Sequence, residues 1–204
     1  MPSMSAPLYK VPLKPGAAKA GGASTVYQLR IELRGVKPKV WRRIVVSGSL
    51  TLAKLHRVIQ AAMGWSDSHL HEFVIDQQRY GQSDPEWDAP GEVISEGKAT
   101  VATALEGRRS ARYIYDFGDY WEHDIKVEPT PVQHLNLKMP VCIDGKNACP
   151  PEDCGGPPGY AEFLRAVTDP NHPEHEETLE WAGRPWDHTA FSIDSANQEI
   201  KRMR

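Results

Sequence analysis

The stretch from Tyr27 to Val46 most limits how this chain can fold. Tyr27, Leu29, Ile31 and Leu33 alternate with Gln28, Arg30, Glu32 and Arg34, and a period of two places the apolar set on one face of a half-buried strand. Gly35 and Pro38 punctuate a turn, and the β-branched run from Val40 to Val46 predicts a second strand, so the two form a hairpin. A helix follows. Thr51 caps it, Leu52, Leu55, Ile59, Ala62 and Met63 form one apolar stripe, and Gly64 ends it.

Strand character returns at His71 to Ile75, then from Arg112 through Tyr113 and Tyr115, and again from Tyr120 to Val127 beyond a turn at Asp116 to Asp119. The acidic, proline- and glycine-rich stretch Gln82 to Gly97 predicts a long solvated loop without chemistry. Short helices are expected over about Tyr160 to Val167, near Glu177, and after Asp194 as a cap, the last ending in Lys201, Arg202 and Arg204. Long βαβ repeats are missing. The expected fold is therefore α+β: a mostly antiparallel sheet of hairpins packed with several short helices in a single compact domain. Residues 1–25, broken by Pro2, Pro7, Pro12 and Pro15, predict a disordered tail, and residues 26–204 the domain.

Composition narrows the functional classes. A net charge of -3 and a pI near 6.2 exclude a uniformly basic nucleic-acid coat. No apolar run is long enough to span a bilayer, and no signal-peptide h-region is present. Three cysteines, an odd number packed into one short stretch, suit a reducing compartment better than a disulfide framework, so a cytoplasmic location is expected.

Candidate chemistry falls into three groups. The basic hairpin carries Arg30, Arg34, Lys37, Lys39 and Arg43, which can track phosphates or engage an acidic protein partner, or simply form a solvated face. Cys142, Cys149 and Cys154 with His123 offer a Cys₃His zinc set, although the C-x₆-C-x₄-C spacing departs from paired CxxC ribbons. Asp116, Asp119, Glu152 and Asp153 with His123 offer the oxygen and nitrogen ligands of a magnesium- or manganese-dependent hydrolase or nuclease. His123 shares a strand face with Trp121, Ile125 and Val127, which favours a buried neutral ring. His56, His69 and His71, with no carboxylate at ligand spacing, read as structural.

Several short runs occur together: Trp41-Arg42-Arg43, Leu55-His56, Gly64-Trp65, His69-Leu70-His71-Glu72-Phe73, Tyr115-Asp116-Phe117-Gly118-Asp119, Trp121-Glu122-His123 and Cys149-Pro150-Pro151-Glu152-Asp153-Cys154-Gly155-Gly156. Their combination resembles the plasmid pRiA4b ORF-3-like proteins from about Tyr27 to the C-terminus. That resemblance implies a compact α+β fold and an association with plasmids and insertion elements, where relatives are labelled TnpR-like passenger proteins. It supplies no catalytic residue to carry over. Neither a recombinase serine nor a helix-turn-helix pattern is present. The expectation is a non-enzymatic binding or accessory protein that contacts nucleic acid or an acidic partner through the basic hairpin, with the metal-dependent hydrolase or nuclease as the alternative.

Overall fold

A computed structural model of the chain describes residues 25–82, 86, 88–89, 91–183 and 186–203. The tail expected over residues 1–25 and the terminal Arg204 therefore lie outside the described residues, save position 25. The alternating segment forms β1 (Val26–Leu33), which pairs antiparallel with β2 (Trp41–Ser47). Leu29, Ile31 and Leu33 are fully or almost fully buried, as the period of two requires.

Helix α1 (Leu52–Met63) starts where the Thr51 hydroxyl accepts the Lys54 N–H at 3.3 Å and ends at Gly64, whose φ of 98° suits glycine. Leu55 and Ile59 on its inner face are buried, each worth roughly 1.5–3 kcal/mol of removal from water. Strands β3 (His71–Ile75), β4 (Gln78–Gly81) and β5 (Val93–Ser95) follow, then a single-turn helix α2 (Val101–Ala104). Next come β6 (Ser110–Tyr115) and β7 (Trp121–Glu128), joined by the predicted turn at Asp116. A single 3-10 turn leads to β8 (Val141–Lys146), and α3 (Gly156–Thr168), α4 (His175–Trp181) and α5 (Ile193–Arg202) close the chain.

Among the described residues the strands form one eight-stranded sheet in the order β5-β4-β3-β6-β7-β1-β2-β8. Every pairing is antiparallel except β4 with β5. The fold is thus the expected single α+β domain, with one continuous core between the sheet and the helices. No helix among the described residues is long and apolar enough to cross a membrane.

Local departures have physical causes. The loop expected over Gln82 to Gly97 contains β5, because Val93 to Ser95 complete backbone pairs on the edge of β4, and Glu96 behind them is buried. The second motif block opens in a strand, since β8 pairs with β2 across a register shift between Arg43 and Ile44. Helix α3 begins at Gly156, ahead of Tyr160, because prolines fit a first helical turn that needs no amide donors. Ser192, rather than Asp194, caps α5, and Asp194 lies in its first turn.

Candidate metal centre

The loop between α1 and β3 holds the site, and its shape is set from far along the chain. The Trp65 indole Nε1 donates to the Pro150 carbonyl at 2.9 Å. Glu152 accepts from both the Ser66 amide, at 3.3 Å, and the Ser66 hydroxyl. Its other oxygen accepts the Tyr115 phenol at 2.5 Å, and that phenol oxygen accepts the Ser68 amide at 3.0 Å. Burial and the bond to Glu152 hold the Tyr115 phenol above its ordinary pKa, so it stays a donor. Asp67, on left-handed backbone at φ 61°, is fixed by its amide donating to the Gln60 side chain at 3.1 Å.

That conformation aims Asp67 at His56. The Asp67 Oδ1 lies 2.6 Å from His56 Nε2, and the Tyr113 hydroxyl lies 2.8 Å from His56 Nδ1. Gln60 Nε2 donates to the same hydroxyl oxygen at 2.9 Å, and because the Asp67 carboxylate can only accept from Nε2–H, the neutral ring leaves Nδ1 to accept the Tyr113 proton. His56 consequently carries its proton on Nε2, toward Asp67. Burial, and then the neighbouring His71, hold its pKa below the ordinary value against the opposing pull of Asp67. The His56 and His71 rings stack with centroids 3.4 Å apart and planes within 1°. His71 Nε2 meets Glu96 Oε2 at 2.8 Å in a pair almost wholly buried.

His56, Asp67 and His71 each offer a donor atom, and these atoms all lie within 4.8 Å of one another. Two imidazoles and a carboxylate form the donor set of open catalytic metal sites. The surroundings fit an ion. His56, Asp67 and His71 would hold it, with Tyr113 against the His56 ring and Glu96 orienting His71. The group opens into a cavity of about 620 Å³ whose walls include Lys54, His56, Arg57, His69, His71 and Glu96.

A second donor group forms around His69 of the same loop. His69 Nε2 lies 3.2 Å from Asp153 Oδ1 and 3.8 Å from Asp116 Oδ2, so this histidine joins the two motif blocks. Asp116 and Asp153 both sit on left-handed backbone at φ 59°, a conformation aspartate tolerates better than most residues. The other Asp116 oxygen accepts the amides of Gly118 and Asp119 at 2.9 and 3.3 Å.

Of the residues the sequence suggested, Asp116 and Asp153 are brought together, but by His69 and not by His123. Asp119 and Glu152 act as clasps: Asp119 Oδ2 accepts the Gly155 amide at 3.1 Å, and Glu152 holds the Ser66 loop. His123 is fully buried, its Nδ1 donating toward the carbonyls of Tyr113 and Trp121, and burial lowers its pKa to about 4. Among the described residues no group of three donors includes His123 or a cysteine, so the Cys₃His set is not gathered. Burial pushes the Cys149 and Cys154 thiols up to about 12 and raises Cys142 as well.

The basic hairpin is neutralised in place. Arg30 pairs with Glu32 and stacks on Trp41, Arg34 pairs with Glu122 and Asp124, Lys39 pairs with Glu32, and Arg43 pairs with Glu128 and Asp144. Lys37 is exposed at the turn. Several of these acids come from β7 and β8, which a linear count of charge along one hairpin does not include. Sequence reasoning also set aside His56, His69 and His71 as structural and overlooked Asp67 and Glu96. One signal was present: Asp67, His69 and His71 alternate directly after a helix that ends in glycine.

Fold and site together define an α+β protein with one eight-stranded sheet and an imidazole–carboxylate cleft at the mouth of its first helix. The chain belongs to the plasmid pRiA4b ORF-3-like family, whose model matches residues 25–195. It is similar to the uncharacterized protein y4hQ of Sinorhizobium fredii, with 41% identity covering 87% of this chain and 91% of the relative. It also resembles the crystal structure of MM3350 from Methanosarcina mazei, a protein of unknown function. There the TM-score is 0.74 and the identity 34%, covering 85% of this chain and 98% of that one.

Proposed function

We propose that this chain is a metal-dependent hydrolase whose centre is His56, Asp67 and His71. The observation that carries the reading is the His56–His71 stack with a carboxylate at each Nε2, opening into a cavity of about 620 Å³. A divalent ion held there would supply Lewis acidity and lower the pKa of water to near neutrality. The chain's own residues contribute the rest. Tyr113 and Gln60 fix the His56 ring, Gln60 also fixes Asp67, and Glu96 fixes His71. The accessory reading through the basic hairpin is less well supported, because Arg30, Arg34, Lys39 and Arg43 are already paired with acids.

Elemental analysis of purified protein, followed by titration of chelator-treated protein with zinc and manganese, tests this. We expect one tightly held ion to be lost in His56→Ala and His71→Ala. An ion at a hundred times its Kd should stabilise the wild type by about 2.7 kcal/mol, a rise of several degrees in Tm. Protein that holds no ion and whose Tm ignores both metals would sink the proposal.

A further inference from the structure

Two cations face the cleft without acidic partners. Lys54 and Arg57 are exposed on α1, and among the described residues neither forms an ion pair, unlike Arg30, Arg34, Lys39 and Arg43 of the hairpin. Both line the cavity that holds His56 and His71. Both also line a second cavity, of about 410 Å³. Lys138 lines that second space too, and Leu50, Val58, Met139, Pro140, Ile200 and Met203 make most of its walls apolar. A smaller hollow of about 180 Å³ shares Thr51 and Lys54 with the first cavity and Leu50, Lys54, Met139 and Pro140 with the second. These shared walls make the hollows neighbouring parts of a groove: a metal-ligand set lines one part, a mostly apolar trough another, and Lys54 and Arg57 line both.

From this arrangement we infer that the substrate is a phosphate monoester of an apolar alcohol, its phosphate held by Lys54 and Arg57 beside His56 and His71 and its hydrocarbon lying against Met139 and Ile200. Charge complementarity selects the head group: two unpaired cations and a divalent ion together match a dianionic phosphate. The trough selects the tail. Its volume lies within the roughly 300–1,000 Å³ of small-ligand sites, and its walls offer an alkyl chain contacts that a nucleotide's sugar and base would not use. Hydrolysis there adds one water across the ester: the P–O bond to the alcohol breaks, the water oxygen joins phosphorus, and a proton leaves with the alcohol. The substrate assignment rests on the hydrolase reading; the groove itself is a binding site whether or not hydrolysis occurs.

Calorimetric titration of the chelator-treated full chain with inorganic phosphate, butyl phosphate and octyl phosphate tests the inference. Complete burial of a methylene is worth about fourfold in affinity, so with partial burial octyl phosphate should still bind more than about tenfold tighter than butyl phosphate. Lys54→Ala combined with Arg57→Ala, both at exposed helical positions that accept alanine, should weaken octyl phosphate by about tenfold or more. Met139→Asp should abolish the chain-length dependence, and Met203→Glu supplies the same test should Met139→Asp fail to fold. Equal affinity for butyl and octyl phosphate would overturn the inference. So would octylamine binding as tightly as octyl phosphate, or a single-stranded oligonucleotide binding more tightly than either. Metal content measured on the same samples separates the two readings: octyl phosphate bound by a chain that takes up no ion keeps the groove and refutes only the hydrolase.

Discussion

Lowering the pH should unseat His123 before it disturbs most of the core. Its Nδ1–H donates toward the carbonyls of Tyr113 and Trp121 at 3.3 and 3.1 Å, while Nε2 is buried with no partner. Protonating Nε2 would place a charge and an unsatisfied N–H among apolar rings, and the folded ring resists, with its pKa depressed from an ordinary 6.5 to about 4. Below pH 6.5 the unfolded chain therefore binds a proton that the folded chain refuses. The stability contributed by the neutral ring is complete above the unfolded pKa and is lost as pH falls toward the folded one. Linkage gives about 1.4 kcal/mol per pH unit through this window, and roughly 3 kcal/mol in all by pH 4. His123→Asn keeps an N–H for the carbonyls and removes the titration. Urea unfolding of both proteins from pH 7 to pH 4 should show the wild type losing about 3 kcal/mol more than the variant. A stability difference that stays constant across that range would refute the sealed, neutral histidine.

Three further outcomes follow from the clasp. Tyr115→Phe removes the donor to Glu152 and leaves the Ser68 amide without its acceptor, so urea unfolding should show a loss of about 1–3 kcal/mol, and metal titration a weaker site. Gly156→Ala should cost more than about 1 kcal/mol in thermal unfolding, because φ is 66° and the new Cβ would meet the Asp119 carbonyl oxygen. Iodoacetamide at pH 7 should leave Cys149 and Cys154 unmodified in the folded protein and alkylate them in urea, since thiols held near 12 are thiolates at about one part in 10⁵. Rapid native alkylation of Cys149 would show that the second block is open.

Period and punctuation made most of the architecture readable. The first hairpin, α1 with both its caps, and the hairpin around Asp116 follow from alternation, a stripe and turn residues whose effects are local. Strand β5 escaped because its three residues earn their pairing only from the edge of β4, information no local window holds. The site was legible in its parts and not in its assembly. Asp116 and Asp153 were picked out for their residue type and rigid setting, yet His69 joins them only because the loop after α1 folds back between two distant blocks. The buried, neutral His123 expected from its shared face with Trp121, Ile125 and Val127 is what the structure shows, with Leu33 and Tyr113 as its strand partners. Glu96 looked like one solvated acid among many until β5 turned it inward onto His71.

The clasp of Ser66 by Glu152 ties together positions 86 residues apart. During synthesis, the loop carrying Asp67, His69 and His71 leaves the ribosome long before the residues that give it shape. A chain stalled or cleaved ahead of Cys149 would thus possess every ligand of the first donor group and still lack the Glu152 clasp on Ser66 beside them. The shape of this loop is therefore a late product of synthesis, completed only when about three quarters of the polypeptide, through Glu152, has been made.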